Sequence, residues 1–368
     1  MLVAALSINS ANAQDTYQSQ ASQAIMIDML SGAVLYDKNP DQQVAPASMT
    51  KMMTAYIIFD QLKRGILSME DKFTVSEKAW RKGGSKMFVE VGKQVTVQDL
   101  IQGIIVQSGN DATIVAAEAI AGSEAAFGEL MSAKARELGM NNTQFLNPSG
   151  WPEEGHYSTV RDLATLAIAL INNFPEYYDT YQQTEFTYNN IRQFNRNPIL
   201  GKIAGVDGLK TGHVEAAGYG LTASATRNGR RLVMVIHGME SVKARAEEAA
   251  RLMEWGYSHW GHYKFFSKGT RLTEVPVWLG SQNQVQAILD QDVAISLPRD
   301  QFSKIEFHIN GTQPLETPIK AGDNIAQLQL KVADRLMQSY PLIAANNVEA
   351  IGGINKIMAG LRYIFLGE

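Results

Sequence analysis

Three short groups of residues carry side chains that can do nucleophilic chemistry together. In Ser48-Met49-Thr50-Lys51, the single Ser-x-x-Lys of the chain, Pro46 and then Ser48 open a helical pattern. Residues three apart on a helix share a face, so the Lys51 amine comes within reach of the Ser48 hydroxyl. A helix N-terminus also aims free backbone N–H groups at negative charge forming on a substrate. Alone the match is weak, because about one is expected by chance in a chain this long, and an N-cap serine beside a solvated lysine explains it too. Ser108-Gly109-Asn110 lies at a break between two helical patterns; by itself it has no weight, since Ser-x-Asn recurs at Ser7, Ser10 and Ser281. Lys210-Thr211-Gly212 occurs once, after the turn-prone Val206-Asp207-Gly208. It reads as a strand at a sheet edge, where an extended substrate can pair with the backbone. Lys210 and Thr211 can then hold a carboxylate, and Gly212 leaves room for close approach.

The elements that must position these groups follow from hydrophobic periodicity. Two strand-like runs, 24–28 and 33–36, flank the turn Ser31-Gly32, and helical patterns cover 49–62, 96–106, 112–121, 124–138 and 160–171. Asn110-Asp111 supplies a start signal for the third of these helices. Near the end of the region, 219–225 and 231–237 are β-rich runs joined around Asn228-Gly229, a strong hairpin signal. Strands at both ends with helices between them predict an antiparallel sheet backed by a helical cluster, an α+β domain over residues 14–263. Short alternating strands then predict a small all-β domain over 264–345, with no titratable cluster and hence a supporting role.

Both ends of the chain bear on location. Leu2 to Leu6 followed by Ala11-Asn12-Ala13 reads as the end of a secretory signal, residues 1–13, so export is expected. Over 346–368, Ile351, Ile354, Met358, Leu361 and Phe365 form one apolar helix face, while Gly352, Gly353 and Gly360 make that helix dependent on a surface. A membrane interface or the protein's own core can supply it.

Composition narrows the function classes. Lys and Arg number 33 against 37 Asp and Glu, a net charge of −4 that gives no field to attract nucleic acid. With no cysteine, thiol nucleophiles, Cys-ligated zinc and disulfides are excluded. The six histidines form no metal pair, and His259 and His262, among Trp260 and Tyr257, read as packing residues. No metal or other cofactor is expected.

Taken in order, Ser-x-x-Lys, Ser-x-Asn and Lys-Thr-Gly resemble the motif set of the penicillin-binding proteins and serine β-lactamases. The wider words Val106 to Ala112, Asn195-Arg196-Asn197 and Val206 to His213, with the β region and the amphipathic tail, resemble the D-alanyl-D-alanine carboxypeptidases of the type of penicillin-binding proteins 5 and 6. The resemblance implies a penicillin-binding/β-lactamase-like catalytic domain that cleaves the terminal D-alanine from peptidoglycan stem pentapeptides and is acylated by β-lactams. It assigns Ser48 as nucleophile, Lys51 as its base, with a pKa lowered by desolvation and by Lys210, and Ser108 as proton relay to the leaving D-alanine. Asn110 would orient Lys51 and the substrate amide. Lys210, Thr211, Gly212 and His213 would bind substrate, with backbone N–H groups of Ser48 and His213 as the oxyanion hole and Arg196 and Arg245 near the carboxylate end. It also implies a peripheral place on the outer, periplasmic face of the cytoplasmic membrane, held by the tail. A β-lactamase on the same fold and a non-catalytic peptidoglycan-binding scaffold stay open as alternatives; the β domain and tail count against the first and the intact motifs against the second.

Overall fold

The structure is a computed structural model and describes residues 17–353. The signal segment and most of the amphipathic tail, from Ile354 on, lie outside the described residues. The chain divides into two compact units at Ser258/His259.

The first unit is built on an antiparallel sheet of β1 (Gln23–Asp28), β2 (Val34–Lys38), β3 (Val206–Val214), β4 (Gly218–Arg227) and β5 (Arg230–Met239), in the order β2-β1-β5-β4-β3. The two hairpins expected at the sequence ends therefore pair with each other through β1 and β5. β5 reads Leu-Val-Met-Val-Ile rather than alternating, because both faces of the sheet are covered. On one face Ile25, Val233 and Val235 join the core under the helical cluster. On the other, Met26 and Leu232 meet Gly256 of a long helix, Val242–His259.

The helical cluster comprises α1 (Lys51–Lys63), α2 (Val97–Gln102), α3 (Asn110–Ala121), α4 (Glu124–Glu137) and α5 (Val160–Asn173), with Val242–His259 as α6 beyond the sheet. α1 is buried at every position from Lys51 to Phe59, as a helix surrounded by other elements must be. The sequence reading names no helix at α6, although Ala249, Leu252, Met253 and Gly256 recur at helical spacing; its buried stripe also takes in Arg245 and Glu248. Glu248 is tolerated there because Tyr17, Ser19 and Arg251 all donate to its carboxylate.

In the second unit a six-stranded sheet runs, in spatial order, 305–310, 324–332, 335–344, 284–289, 271–278 and 315–316. Beside it, Trp260–Phe266 pairs with Val293–Pro298, so a division after Tyr263 falls inside a strand. Leu328, Leu330 and Val332 alternate inward to a core shared with Val285 and Leu342. Among the described residues no helix is long and apolar enough to cross a membrane.

One close approach ties the loop before α5 to the start of α1. Gly150 has φ +74°, and a Cβ there would lie 1.8 Å from the Ala47 carbonyl oxygen. Gly150→Ala is expected to destabilise the protein by roughly 2–4 kcal/mol, from a left-handed backbone plus overpacking. Gly155→Ala, also left-handed at φ +87° but with its nearest neighbour 3.5 Å away, is expected to cost only about 1 kcal/mol. Thermal unfolding of the two variants checks this; equal shifts in Tm would mean that the contact with Ala47 is relaxed at no cost.

Candidate active site

Ser48 sits in a 3-10 turn, Ala47–Thr50, that runs directly into α1, and Lys51 is the first residue of that helix. Ala47 holds φ +48°, an uncommon backbone for a residue with a side chain, immediately before the nucleophile candidate. Lys51 is 1% exposed and donates to Ser48 Oγ at 2.9 Å, Asn110 Oδ1 at 2.8 Å and the Ser149 carbonyl at 2.6 Å. The three partners are not equivalent. Asn110 Nδ2 donates to the Gly83 carbonyl at 2.9 Å, which fixes the amide so that Oδ1 faces the lysine. Two of the three groups around the amine can therefore only accept, whereas the Ser48 hydroxyl can also donate. When Lys51 is neutral, its two N–H bonds point to the carbonyl oxygens and its lone pair to Ser48. Burial, and then the charge of Arg196, pull its pKa down to about 7, so this form is populated near neutrality.

Ser108 and Asn110 are placed by a break between helices. α2 continues into a π-helical turn, Gly103–Gln107, and Ser108 then takes φ +65°. The helix that follows begins at Asn110 itself, with Gly109 as its cap, so Asn110-Asp111 lies inside the element rather than ahead of it. Asp111 is spent on a neighbouring loop: its carboxylate accepts from the backbone N–H groups of Met87 and Phe88 at 2.9 Å. The Asn110 N–H donates to the Ser85 carbonyl at 2.7 Å, and the Arg196 guanidinium donates to Ser85 Oγ at 2.6 Å. The segment 83–89 thus borders the site.

Lys210, Thr211 and Gly212 lie on β3, the edge strand of the sheet. Gly212 has a specific reason: a Cβ there would meet the Pro46 carbonyl at 2.8 Å, so only glycine lets the strand close on the turn that carries Ser48. Lys210 is buried and donates to the Thr211 carbonyl at 3.3 Å; burial first, then Lys51, push its pKa well below the usual lysine range. His213 is exposed, its ring stacked on Tyr219 at 3.9 Å. Arg245, from α6, has its guanidinium 5.7 Å from the Tyr219 ring centroid and is 6% exposed. Its Nε has no hydrogen-bond partner among the described residues, and burial lowers its pKa to about 10.

Ser48, Ser108, Arg196, Thr211, His213 and Arg245 all line one cleft of ≈480 Å3, with Lys51, Asn110 and Lys210 behind it. Every site residue expected from sequence thus meets at one place. One attribution changes: the second cation felt by Lys51 is Arg196, while Lys210 is itself held down by Lys51. Buried cations with an orphaned guanidinium donor and no carboxylate lining the cleft make a receptor for an anion.

Sequence reasoning missed the loop that supplies the Ser149 carbonyl. Asn147 Oδ1 accepts from the N–H groups of Gly150 at 2.9 Å and Trp151 at 3.1 Å, and Thr54 donates to the Pro148 carbonyl at 2.6 Å. His156 locks the loop to the turn that carries Ser48. The Leu146 N–H donates to its Nδ1 at 3.1 Å, so Nε2 carries the proton and donates to Thr50 Oγ1 at 2.9 Å. Burial pushes its pKa down to about 4, keeping it neutral. The signal available was the turn-prone Asn147-Pro148-Ser149-Gly150.

A family model described as D-alanyl-D-alanine carboxypeptidase matches residues 9–241, and one described as penicillin-binding protein 5, C-terminal domain, matches 260–350. The D-alanyl-D-alanine carboxypeptidase DacA of Haemophilus influenzae is 36% identical over 365 residues, covering 96% of this chain and 93% of the relative. The crystal structure of penicillin-binding protein 5 from Haemophilus influenzae superposes with a TM-score of 0.80 at 36% identity, over 90% of this chain and 98% of that one. Penicillin-binding protein D2 of Listeria monocytogenes, solved in its ampicillin-bound form, matches with a TM-score of 0.61 at 29% identity, over 66% of this chain and 99% of that one. By both sequence and structure, the chain belongs to the D-alanyl-D-alanine carboxypeptidase family.

Proposed function

We propose that the protein is a serine D,D-carboxypeptidase that removes the terminal D-alanine from peptidoglycan stem pentapeptides through an acyl-enzyme on Ser48. The observation that carries this reading is the Lys51 amine, whose lone pair can meet only the Ser48 hydroxyl because its other partners are carbonyl oxygens. As Ser48 Oγ bonds to the carbonyl carbon of the penultimate D-alanine, its proton passes to Lys51 Nζ. The oxyanion is received by the backbone N–H groups of Ser48 and His213, a contribution of roughly 3 kcal/mol per donor. The C–N bond then breaks, Ser108 relays a proton to the departing amine, and D-alanine leaves. Water opens the ester by the reverse path and restores Ser48. Lys210, Thr211, Arg196 and Arg245 hold the terminal carboxylate, whose charge the cleft's cations lack. Asn110 orients Lys51 and the substrate amide, and Gly212 lets the strand reach the turn.

β-Lactams present a strained amide with a carboxylate at the matching position, so we infer that they acylate the same serine. Incubation with penicillin should give one covalent adduct by intact-mass analysis. An adduct that survives Ser48→Ala would remove Ser48 from the nucleophile's role.

The base assignment has a pH signature. Since the neutral amine is the competent form and the Lys51 pKa is about 7, acylation should rise with pH through that value and level off above it. Lys51→Arg stays protonated, so its acylation should fall by at least ~10²-fold. Stopped-flow acylation across about pH 5 to 9 tests both, and a flat profile or a near-normal Lys51→Arg rate would move the base elsewhere.

For the tail we propose an interfacial anchor on the outer face of the cytoplasmic membrane. Seven apolar side chains, Ile351, Ile354, Met358, Leu361 and Phe365 with Ile357 and Ile364 widening their stripe, could contribute several kcal/mol on insertion at about 25 cal/mol per Å2. Lys356 and Arg362 are offset in formal charge by Glu349 and Glu368, so binding should tolerate salt. Deleting residues 354–368, which keeps Val348 in the core of the second unit and Ile351 bonded to Leu279, should release a folded enzyme with unchanged small-peptide turnover into the soluble fraction. A truncation that unfolds would instead indicate a helix docked on the protein's own core.

A further inference from the structure

One buried carboxylate beside the site has no part in the chemistry described so far. Asp111 is 1% exposed; its Oδ1 accepts from the Met87 and Ala112 N–H groups at 2.9 Å, and its Oδ2 from those of Phe88 at 2.9 Å and Val89 at 3.3 Å. Residues 83–89 belong to no helix or strand, so three successive N–H groups with no ladder to join are gathered by a single side chain. An asparagine there would keep one accepting oxygen and turn an amide N–H group against the donors that face the other. Gly109 makes room for the contact, since a Cβ there would lie 2.8 Å from Asp111 Oδ1 and 3.0 Å from the Met87 nitrogen.

The anchored segment decides which way Asn110 points. Its Gly83 carbonyl accepts from Asn110 Nδ2 at 2.9 Å, and its Ser85 carbonyl from the Asn110 N–H at 2.7 Å. Were the segment to draw back, the amide could turn and present Nδ2 to Lys51. The lysine lone pair would then meet an N–H donor other than the Ser48 hydroxyl, and Ser48 would no longer be singled out. The charge of Asp111 also reaches the amine. Arg196 and Lys82 favour neutral Lys51, Lys210 and His156 in turn feel its charge, and of these groups Asp111 alone favours the ammonium.

We propose that Asp111 is a positioning residue of the acylation step: by holding segment 83–89 against Asn110, it keeps the Asn110 amide oxygen on the Lys51 amine and so leaves the lysine lone pair to Ser48. The inference rests on the carboxypeptidase reading above and adds to it a residue that touches neither the substrate nor the reacting atoms.

The test is stopped-flow acylation of the full chain by penicillin across about pH 5 to 9, with rates referred to the fraction of protein that forms the adduct by intact mass. For Asp111→Asn the plateau rate is expected to fall roughly 10- to 100-fold, the cost of a misaligned group. The midpoint of its profile should move below the wild-type value of about 7, because the lost anion and the turned amide both disfavour the ammonium. Gly109→Ala drives a methyl group into the Asp111–Met87 contact and leaves the charge in place, so its plateau should fall too, with a smaller displacement of the midpoint. A purely structural role would lower Tm or the reactive fraction and leave the rate and midpoint of the molecules that do react as in wild type. An unchanged midpoint in Asp111→Asn, or a wild-type plateau in either variant, would therefore overturn the positioning role; should Asp111→Asn fail to fold, the plateau of Gly109→Ala decides. No adduct on folded wild-type protein would overturn the carboxypeptidase reading itself, and this role with it.

Discussion

The site depends on taking one ammonium group out of water. Lys51 opens a helix that is buried at every position through Phe59, so its amine has no solvent to turn to. An unpaired charge in such a place is costly, and the fold meets the cost with three oxygen acceptors, one from each of three separate segments. The same burial brings the pKa to about 7. A lysine that would be inert as a base on the surface becomes one able to accept a proton near neutral pH, and the surrounding structure can be understood as what keeps it there.

Each acceptor is itself held by a second layer of contacts. Asn110 is fixed by Gly83 and Ser85, and that loop is fixed in turn by the Asp111 carboxylate. The Ser149 carbonyl is presented by a loop folded around Asn147 and locked to the turn that carries Ser48 through His156 and to α1 through Thr54. Ser48 is pressed from the sheet side by β3, which gets close only because residue 212 has no side chain. Unusual backbone collects at the same place: left-handed Ala47 and Ser108, and a π-helical turn before Ser108. Such conformations persist where neighbouring packing over-determines them, and here they aim two hydroxyls into one cleft.

Charge is distributed with equal consequence. Lys51, Lys210, Arg196 and Arg245 converge on a cleft with no carboxylate in its lining, an arrangement that disfavours the empty protein and is relieved by an anionic ligand.

Much of this was legible in the chain itself. Periodicity located the five helices of the cluster, the two terminal hairpins and the alternating strands of the second unit, because each answers to local spacing of apolar residues. The motif words located Ser48, Lys51, Ser108, Asn110 and Lys210, since their chemistry is carried by residue type and short spacing. α6 carries the same spacing signal in Ala249, Leu252, Met253 and Gly256 and went unread; what its sequence does not show is that Arg245 and Glu248 are buried, since that depends on partners distant in sequence such as Tyr17. Nor was the Ser149 carbonyl legible, for any residue has one and only the tertiary fold decides which points at a lysine. Residue types and spacing determined which groups could react. What the tertiary structure alone decided was the protonation of Lys51, the direction of its lone pair and the identity of the cation that presses on it, because desolvation and through-space charge depend on distances between segments that local sequence does not encode.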